Sequence, residues 1–292
     1  MSTVIVTAAD ESYAPLLRDL VASLAEHREA LGFSVIVLDL GLAPATRGEI
    51  EAEVDRVIAP SWMFKPHATF DANPKYLSRA ARPFLPDLAP GYSIYVWLDA
   101  DIWVQQRQGL ELLIEAARGV DIAAAPASHS AYRLRAQDMS WLHARYRMAL
   151  GAAQAIELFR QPHYFNAGVM AIPAGSRLWR AFAERFQAAL DRWHGDFLSD
   201  QAIINAAIAL DGLAVNRLPA KINWLCHLAL PRWNAETKLL SEPVPPFDPL
   251  LIVHNTFNRK GRERVLTDLS GRPYRTQLTR TAIASLAHDD SQ

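Results

Sequence analysis

Short apolar runs rich in β-branched residues alternate with amphipathic segments over most of this chain, and that alternation restricts the fold to a few architectures. TVIVTA at 3–8, FSVIVLD at 33–39 and SIYVWL at 93–98 predict buried strands. Segment 13–31 repeats leucine and valine at helical spacing, so it predicts a helix. Strands that alternate with helices favour a mainly parallel sheet covered on both faces, and we therefore predict an α/β fold. Ligands of such sheets bind at the carboxyl ends of the strands.

The composition excludes several classes of protein. With 292 residues, 50% of them hydrophobic, the chain can form one large α/β domain with small appendages, or two small domains. The formal net charge of -1 gives no electrostatic case for nucleic acid, so we expect no such partner. Cys226 is the only cysteine, which fits a reducing compartment. No basic stretch precedes the first apolar run, and no run approaches the roughly 20 residues of a membrane span. We expect a soluble, cytoplasmic protein.

The last part of the chain has a proline-rich stretch followed by many basic residues. EPVPPFDP at 242–249 predicts a connector that is neither helix nor central strand, so we divide the chain into 1–241 and 242–292. Two interpretations of the basic residues beyond the connector stay open: a solvated surface, or contact with phosphates of a nucleotide or of lipid headgroups at the inner membrane face. These residues are Arg259, Lys260, Arg262, Arg264, Arg272, Arg275 and Arg280.

Two aspartates follow one of the predicted strands, in IYVWLDADIWV at 94–104. Asp99 and Asp101, two residues apart at a strand end, can converge on one hard cation, which prefers oxygen ligands. The alternative is a turn in which one aspartate caps the next segment. Carboxylates in so apolar a setting are costly unless they are paired or bound to metal, so the flanking residues favour a metal site.

A second predicted strand, HYFNAGVMAI at 163–172, carries polar or small residues at its centre. We predict that this strand is broken at Gly168, because glycine permits a bulge or the close approach of a ligand to the backbone. Asn166 could then offer its amide to substrate hydroxyls. A simple bulge in a buried strand explains the segment equally well.

Two later segments are ambiguous by themselves. In FLSDQ at 197–201, Ser199 can cap a helix that has Asp200 and Gln201 in its first turn, and this structural interpretation is favoured locally. His254 ends a predicted strand, and Lys260 follows in a basic loop. A lone histidine is usually structural, but one placed here could complete a metal and diphosphate site.

The order of these segments resembles glycosyltransferase family 8, the family of glycogenin and the bacterial lipopolysaccharide α-galactosyl- and glucosyltransferases. LDAD at 98–101 and YFNAGVM at 164–170 are its most specific motifs, and the likeness covers about residues 3–261. The other segments that carry it are VTAADESY at 6–13, VIVLDLG at 35–41, Arg79, SDQ at 199–201, and His254 with Lys260.

The resemblance implies a GT-A fold, the nucleotide-diphospho-sugar transferase fold, with its catalytic domain in 1–241 and a closing metal and phosphate loop in 242–292. It implies retaining transfer of a hexose from a nucleotide-diphosphate sugar, expected to be UDP-linked, to a saccharide or glycolipid acceptor of lipopolysaccharide or polysaccharide biosynthesis. It implies a Mn²⁺ (or Mg²⁺) cofactor. The site residues that it implies are Asp99, Asp101 and His254 on the metal; Ala8, Asp10, Ser12, Arg79, Asp99, Ala100, Asn166 and Lys260 on the donor; and Gln201 and Asp200 in catalysis.

Two alternatives remain. Phe257 stands near the position of a family glycine, and Gly261-Arg262 replace the family's Pro-Trp, which leaves room for a non-catalytic relative that binds a nucleotide sugar. A nucleotidyltransferase shares the architecture and the metal. It usually has a glycine-rich basic loop after its first strand, where this chain has the acidic Ala8-Ala9-Asp10-Glu11.

Overall fold

Strands and helices alternate along the chain as the apolar runs predict. The computed structural model describes residues 2–65, 76–162, 164–192, 199–257 and 261–289. The strands are β1 (Thr3–Ala9), β2 (Phe33–Asp39), β3 (Arg56–Ile58), β4 (Ile94–Leu98), β5 (Ile102–Val104), β6 (Ile122–Pro126), β7 (Phe165–Pro173), β8 (Val215–Arg217), β9 (Trp224–Leu225), β10 (Arg232–Asn234), β11 (Leu239–Ser241), β12 (Ile252–His254), β13 (Glu263–Asp268) and β14 (Pro273–Gln277). The helices are α1 (Ala14–Leu31), α2 (Pro44–Glu53), α3 (Leu77–Ala80), α4 (Leu85–Leu88), α5 (Arg107–Ala116), α6 (Ala136–Leu150), α7 (Ala152–Phe159), α8 (Leu178–Leu190), α9 (Asp200–Leu210) and α10 (Arg280–Asp289).

Within the described residues, seven strands form the central sheet in the order β3-β2-β1-β4-β7-β6-β8. Its strands run in one direction except β7, which is antiparallel to both of its neighbours. The predicted mainly parallel sheet is therefore confirmed. Because β7 is reversed, its first residues meet the carboxyl end of β4, and Leu98 pairs with Val169.

Alternate residues of the central strands enter two separate cores. Val6 and Trp97 belong to a core that also takes buried residues from α6, α8 and α9. Ile5 and Val96 point to the opposite face and pack with residues of α1 and α5. Side chains of successive strand residues point to opposite faces, so helices cover both faces of the sheet as expected.

A small sheet brings the last third of the chain to the carboxyl end of β4. In the order β5-β12-β9, β12 is antiparallel to β5 and parallel to β9. His254 pairs with Ile102 across the first junction, and the backbone N–H of Asn255 donates to the carbonyl of Asp101 at 2.9 Å. This pairing sets the end of β12 beside the two aspartates.

A third sheet, in the order β11-β10-β13-β14, joins strands from both sides of residue 241, since β10 pairs with β13. The division of the chain at that residue stays a prediction. In the part of the chain that the structure describes, no helix combines the length and the apolar character that crossing a membrane requires.

The predicted break at Gly168 is wrong. β7 is one continuous strand, and the ladder to β4 extends past its paired residues, since the N–H of Asp99 donates to the carbonyl of Gly168 at 2.9 Å. The pairing with β6 shifts register between Met170 and Phe165, so an irregularity exists on that side only. The glycine is therefore explained by what approaches it rather than by an end of the strand.

Candidate active site

The three predicted metal ligands, Asp99, Asp101 and His254, lie together at the carboxyl end of β4. Nε2 of His254 lies 3.4 Å from Oδ1 of Asp101 and 3.8 Å from Oδ2 of Asp99. One ligand atom from each residue lies within 4.8 Å of the other two. Adjacent ligands of an octahedral ion with bonds of about 2.1 Å are roughly 3.0 Å apart, so a small contraction lets this cluster hold a divalent cation.

The ligand set mixes carboxylate oxygens, which suit Mg²⁺ and Mn²⁺, with an imidazole, which suits transition metals, so it could hold a divalent cation. Asp101 is 7% exposed and His254 is 3% exposed. A carboxylate so deeply buried is stable only when it is paired or bound to a cation, so the burial of Asp101 is compatible with a metal ligand.

Gly168 is required by the close approach of the ligands. A methyl carbon at this residue would lie 2.3 Å from Cε1 of His254, 2.8 Å from Oδ2 of Asp99 and 2.9 Å from Oδ1 of Asn166. Any side chain here would displace a ligand of the cluster. Both sequence interpretations of this glycine apply, since the pairing of β7 with β6 shifts register around it and other groups approach its backbone closely.

Arg82 occupies the centre of the site, although it belongs to no motif that the sequence predicts. It is 6% exposed and lies in a short 3-10 helix, Arg82–Phe84. Nη2 donates to Oδ1 of Asp99 at 2.8 Å, and Nη1 lies 2.8 Å from Oδ2 of Asp200. Its guanidinium also lies over the Trp97 ring, 4.1 Å from the centroid. Arg82 therefore links the metal cluster to the first turn of α9.

Arg79, the arginine that was predicted, also lies at the site. Its Nε is 3.8 Å from Oδ1 of Asp200, a looser contact than that of Arg82. The two arginines are three residues apart in a proline-interrupted segment, and nothing in the sequence indicates which of them is buried. The pairing of Arg82 with two carboxylates was therefore not predictable from composition or spacing.

The predicted sugar-side residues are brought together by β7 and α9. Nδ2 of Asn166 donates to Oε1 of Gln201 at 3.2 Å, and its Oδ1 accepts the N–H of Gly168 at 2.9 Å. Ser199 caps α9 by accepting the N–H of Ala202, as predicted, and Asp200 follows in the first turn. An amide, a carboxylate and a second amide thus border the metal cluster on one side.

The end of β1 forms the other border of the site. Asp10 accepts the N–H of Ser12 at 2.9 Å and so caps a 3-10 helix, while Ala8 is half-buried within β1. Burial, and then the charges of Asp101 and Asp99, raise the pKa of the Tyr13 phenol from 10.0 to about 12.

Two more residues, Ala100 and Lys260, were predicted to contact the donor. Ala100, between the two aspartates, is buried. Lys260 lies outside the described residues.

Comparisons with known proteins show the family of the chain and its fold. The model of the family described as glycosyl transferase family 8 matches residues 4–210, which is more than two thirds of the chain. The chain therefore belongs to this family and is a glycosyltransferase. No curated protein sequence matches the chain.

Several solved glycosyltransferases share the fold. The galactosyltransferase LgtC, in complex with donor and acceptor sugar analogs, is 17% identical over 98% of this chain and 95% of its own, with a TM-score of 0.58. The bifunctional glycosyltransferase WbbM in its apo form is 15% identical over 88% of this chain and 46% of its own, with a TM-score of 0.56. Mouse xyloside xylosyltransferase 1, also apo, is 13% identical over 88% and 99%, with a TM-score of 0.53. The predicted GT-A fold is confirmed.

Proposed function

We propose that this glycosyltransferase moves a hexose from a UDP-linked sugar to a saccharide or glycolipid acceptor, with retention of the anomeric configuration and with a bound divalent cation, Mn²⁺ or Mg²⁺. One observation carries the proposal. Asp99, Asp101 and His254 converge beside Asn166 and Asp200, so a cluster that could hold a cation and polar side chains that could bind sugar hydroxyls share one edge of the sheet.

The first task of the site is to stabilise the leaving group. A nucleoside diphosphate gains negative charge as the glycosidic bond breaks, and a divalent cation bound here would stabilise that charge as a Lewis acid. Asp99, Asp101 and His254 would hold the cation. We propose that Lys260 adds a positive charge on the same oxygens, which is most effective where water is excluded.

The second task is to hold the donor. Asn166 and Asp200 offer hydrogen-bonding groups to the sugar hydroxyls. Arg82 and Arg79 hold the Asp200 carboxylate in place. The base and ribose would lie at the end of β1, near Ala8, Asp10 and Ser12. Ala100 would contact the donor through its backbone.

The third task is to direct the acceptor. A retaining reaction through a covalent intermediate usually proceeds through a carboxylate nucleophile. Gln201 is neutral and a poor nucleophile, and Asp200 is engaged by two arginines. We therefore propose attack from the face that the diphosphate leaves, with a diphosphate oxygen taking the proton of the acceptor hydroxyl and Gln201 and Asp200 stabilising the cationic sugar.

The experiment is a screen of nucleotide sugars for release of nucleoside diphosphate, with and without Mn²⁺. The proposal expects metal-dependent release from a UDP-sugar and an α-linked product by proton NMR. Asp99→Asn and Asp101→Asn should keep the fold and lose the activity, because the cation needs both charges. Undiminished release by both variants after chelation would contradict the metal, and a β-linked product would contradict retention.

The same screen separates the alternatives. A non-catalytic relative would bind the donor without releasing nucleotide. A nucleotidyltransferase would instead form or consume pyrophosphate.

A finer part of the proposal concerns the segment 242–292. We propose that its basic residues touch the anionic inner face of a membrane, where each charge contributes roughly 1 kcal/mol at low salt. Four of them also contact the protein itself, in the pairs Arg264–Phe257, Arg272–Tyr274, Arg275–Glu263 and Arg280–Glu26. Absence of sedimentation with phosphatidylserine liposomes at low ionic strength would leave the segment as a solvated face or a nucleotide contact.

A further inference from the structure

Asn223 lies directly behind the metal cluster and belongs to no predicted motif. It is 3% exposed and stands between a 3-10 helix, Ala220–Ile222, and β9. Its Oδ1 lies 2.8 Å from Nδ1 of His254, and its Nδ2 donates to Oδ1 of Asn166 at 3.2 Å. A single buried amide therefore connects a metal ligand to the sugar side of the site.

The direction of every hydrogen bond in this connection follows from one backbone group. The N–H of Gly168 can only donate, so the atom of Asn166 that faces it must be the oxygen. That oxygen also faces Asn223, which must therefore present its NH₂ group to Asn166 and its own oxygen to His254. An amide oxygen only accepts, so the hydrogen of the imidazole lies on Nδ1.

This assignment decides what His254 offers to a cation. With the hydrogen on Nδ1, the lone pair of Nε2 faces Asp101 and Asp99, at 3.4 and 3.8 Å from their nearest oxygens. With the opposite tautomer, an N–H would point at that place and exclude a positive ion. The ring is also held against rotation by the same bond to Asn223.

We infer that Asn223 is a positioning residue for the metal site: it fixes the tautomer and the ring orientation of His254 and ties both to the Asn166 amide. The inference rests on the proposed function, in which a cation binds His254. Hydrogen-bond partners of metal-ligating histidines typically account for 10–100-fold in metal affinity or activity.

Asn223 makes two hydrogen bonds, one with His254 and one with Asn166, and different substitutions separate their effects. Asn223→Ala removes the acceptor for His254 and the donor for Asn166. Asn223→Asp keeps an acceptor for Nδ1–H of His254 but opposes a carboxylate oxygen to Oδ1 of Asn166. Because Asn166 also contacts Gln201, loss of the hydrogen bond between Asn223 and Asn166 should affect binding of the sugar rather than of the metal.

The test is a Mn²⁺ titration of the donor-free protein, followed by electron paramagnetic resonance of the free ion. We expect Asn223→Ala to bind Mn²⁺ about 10–100-fold more weakly than the wild type. Asn223→Asp should recover most of that loss while raising the KM for the donor at saturating Mn²⁺. Asn205→Ala is a matched control, since Asn205 is 5% exposed and its hydrogen bonds go to the backbone of Phe165 and Gln201. It should lower thermal stability and leave the Mn²⁺ affinity unchanged.

The outcomes are distinguishable. If the wild type binds no Mn²⁺ or Mg²⁺, the proposed function fails at its metal. If the wild type binds Mn²⁺ and Asn223→Ala binds it equally well, the positioning role is overturned. Equal losses of affinity in Asn223→Ala, Asn223→Asp and Asn205→Ala would also overturn it, because they would report only on packing.

Discussion

Gly168→Ala tests the geometry of the site with the smallest possible addition. The new methyl carbon would lie 2.3 Å from Cε1 of His254, and ordinary contact begins at 3.4 Å, so one of them must move by the difference of 1.1 Å. His254 is buried and bonded to Asn223, so the ring cannot swing away without losing that bond. The methyl group would also crowd Oδ2 of Asp99 at 2.8 Å. Two of the three proposed ligands therefore shift together.

The expected magnitudes follow from this displacement. A misplacement of about 1 Å at a reacting centre can cost roughly 10²-fold in rate, and we expect a loss of turnover of that order. Overpacking a core typically costs about 1–3 kcal/mol, so the free energy of unfolding should fall by this amount. The backbone at Gly168 is an ordinary strand, which alanine accepts. The loss would therefore arise from the side chain alone.

Turnover, Mn²⁺ affinity and thermal unfolding are measured together, with Gly109→Ala as the matched control. A methyl carbon at Gly109 would lie 2.8 Å from Cγ1 of Ile252, so it crowds the same strand, β12, without touching a ligand. We expect a similar loss of stability in the control and a much smaller loss of turnover. Wild-type turnover and Mn²⁺ affinity in Gly168→Ala would refute the close packing, and equal losses in both variants would assign the effect to displacement of β12.

Three further predictions concern single side chains. Arg82→Ala should lower the free energy of unfolding by about 3–5 kcal/mol, the usual cost of breaking a buried ion pair, and raise the KM for the donor; a denaturant titration that matches the wild type would contradict this. The pKa of Tyr13 is raised from 10.0 to about 12 by burial and then by Asp101 and Asp99, which disfavour the ionised phenol, so the wild type should lose stability as the pH rises from 10 to 12. The difference between the unfolding midpoints of wild type and Tyr13→Phe should be constant below pH 10 and should shift against the wild type across this range. Lys260→Ala should weaken donor binding at saturating metal, whereas His254→Ala should raise the Mn²⁺ requirement; unchanged kinetics in the first would remove Lys260 from the diphosphate.

The cluster of Asp99, Asp101 and His254 could be predicted because its members stand at strand ends. The apolar pattern of the sequence predicts where those strands end. Asp99 and Asp101 follow β4 directly, and His254 is the last residue of β12. What periodicity does not contain is the pairing of β12 with β5, which joins segments far apart in the chain. The order of motifs that the chain shares with the family predicted that these two segments lie together. The roles of these residues remain predictions.

Arg82 was missed for a physical reason. A side chain's direction depends on the local helix geometry, and successive residues of an α-helix point about 100° apart. Around Pro83 the chain passes from α3 through a 3-10 helix into α4. The regular helical spacing is interrupted there, so it does not predict which way each side chain points. Arg79 and Arg82 are equivalent by residue type and by spacing to nearby prolines, and only the packing against Trp97 places Arg82 inward.

The reversed strand is the step in the fold from which the rest of the site follows. Alternating strands and helices predict parallel strands, and a parallel β7 would carry Asn166 to the edge of the sheet opposite Asp99. As an antiparallel strand, β7 instead begins where β4 ends, so the Gly168 carbonyl accepts from Asp99 and the Gly168 N–H orients Asn166. From that N–H the hydrogen bonds run through Asn223 to the imidazole of His254. One strand direction therefore determines both how the Asn166 amide is oriented and which nitrogen of His254 faces Asp99 and Asp101.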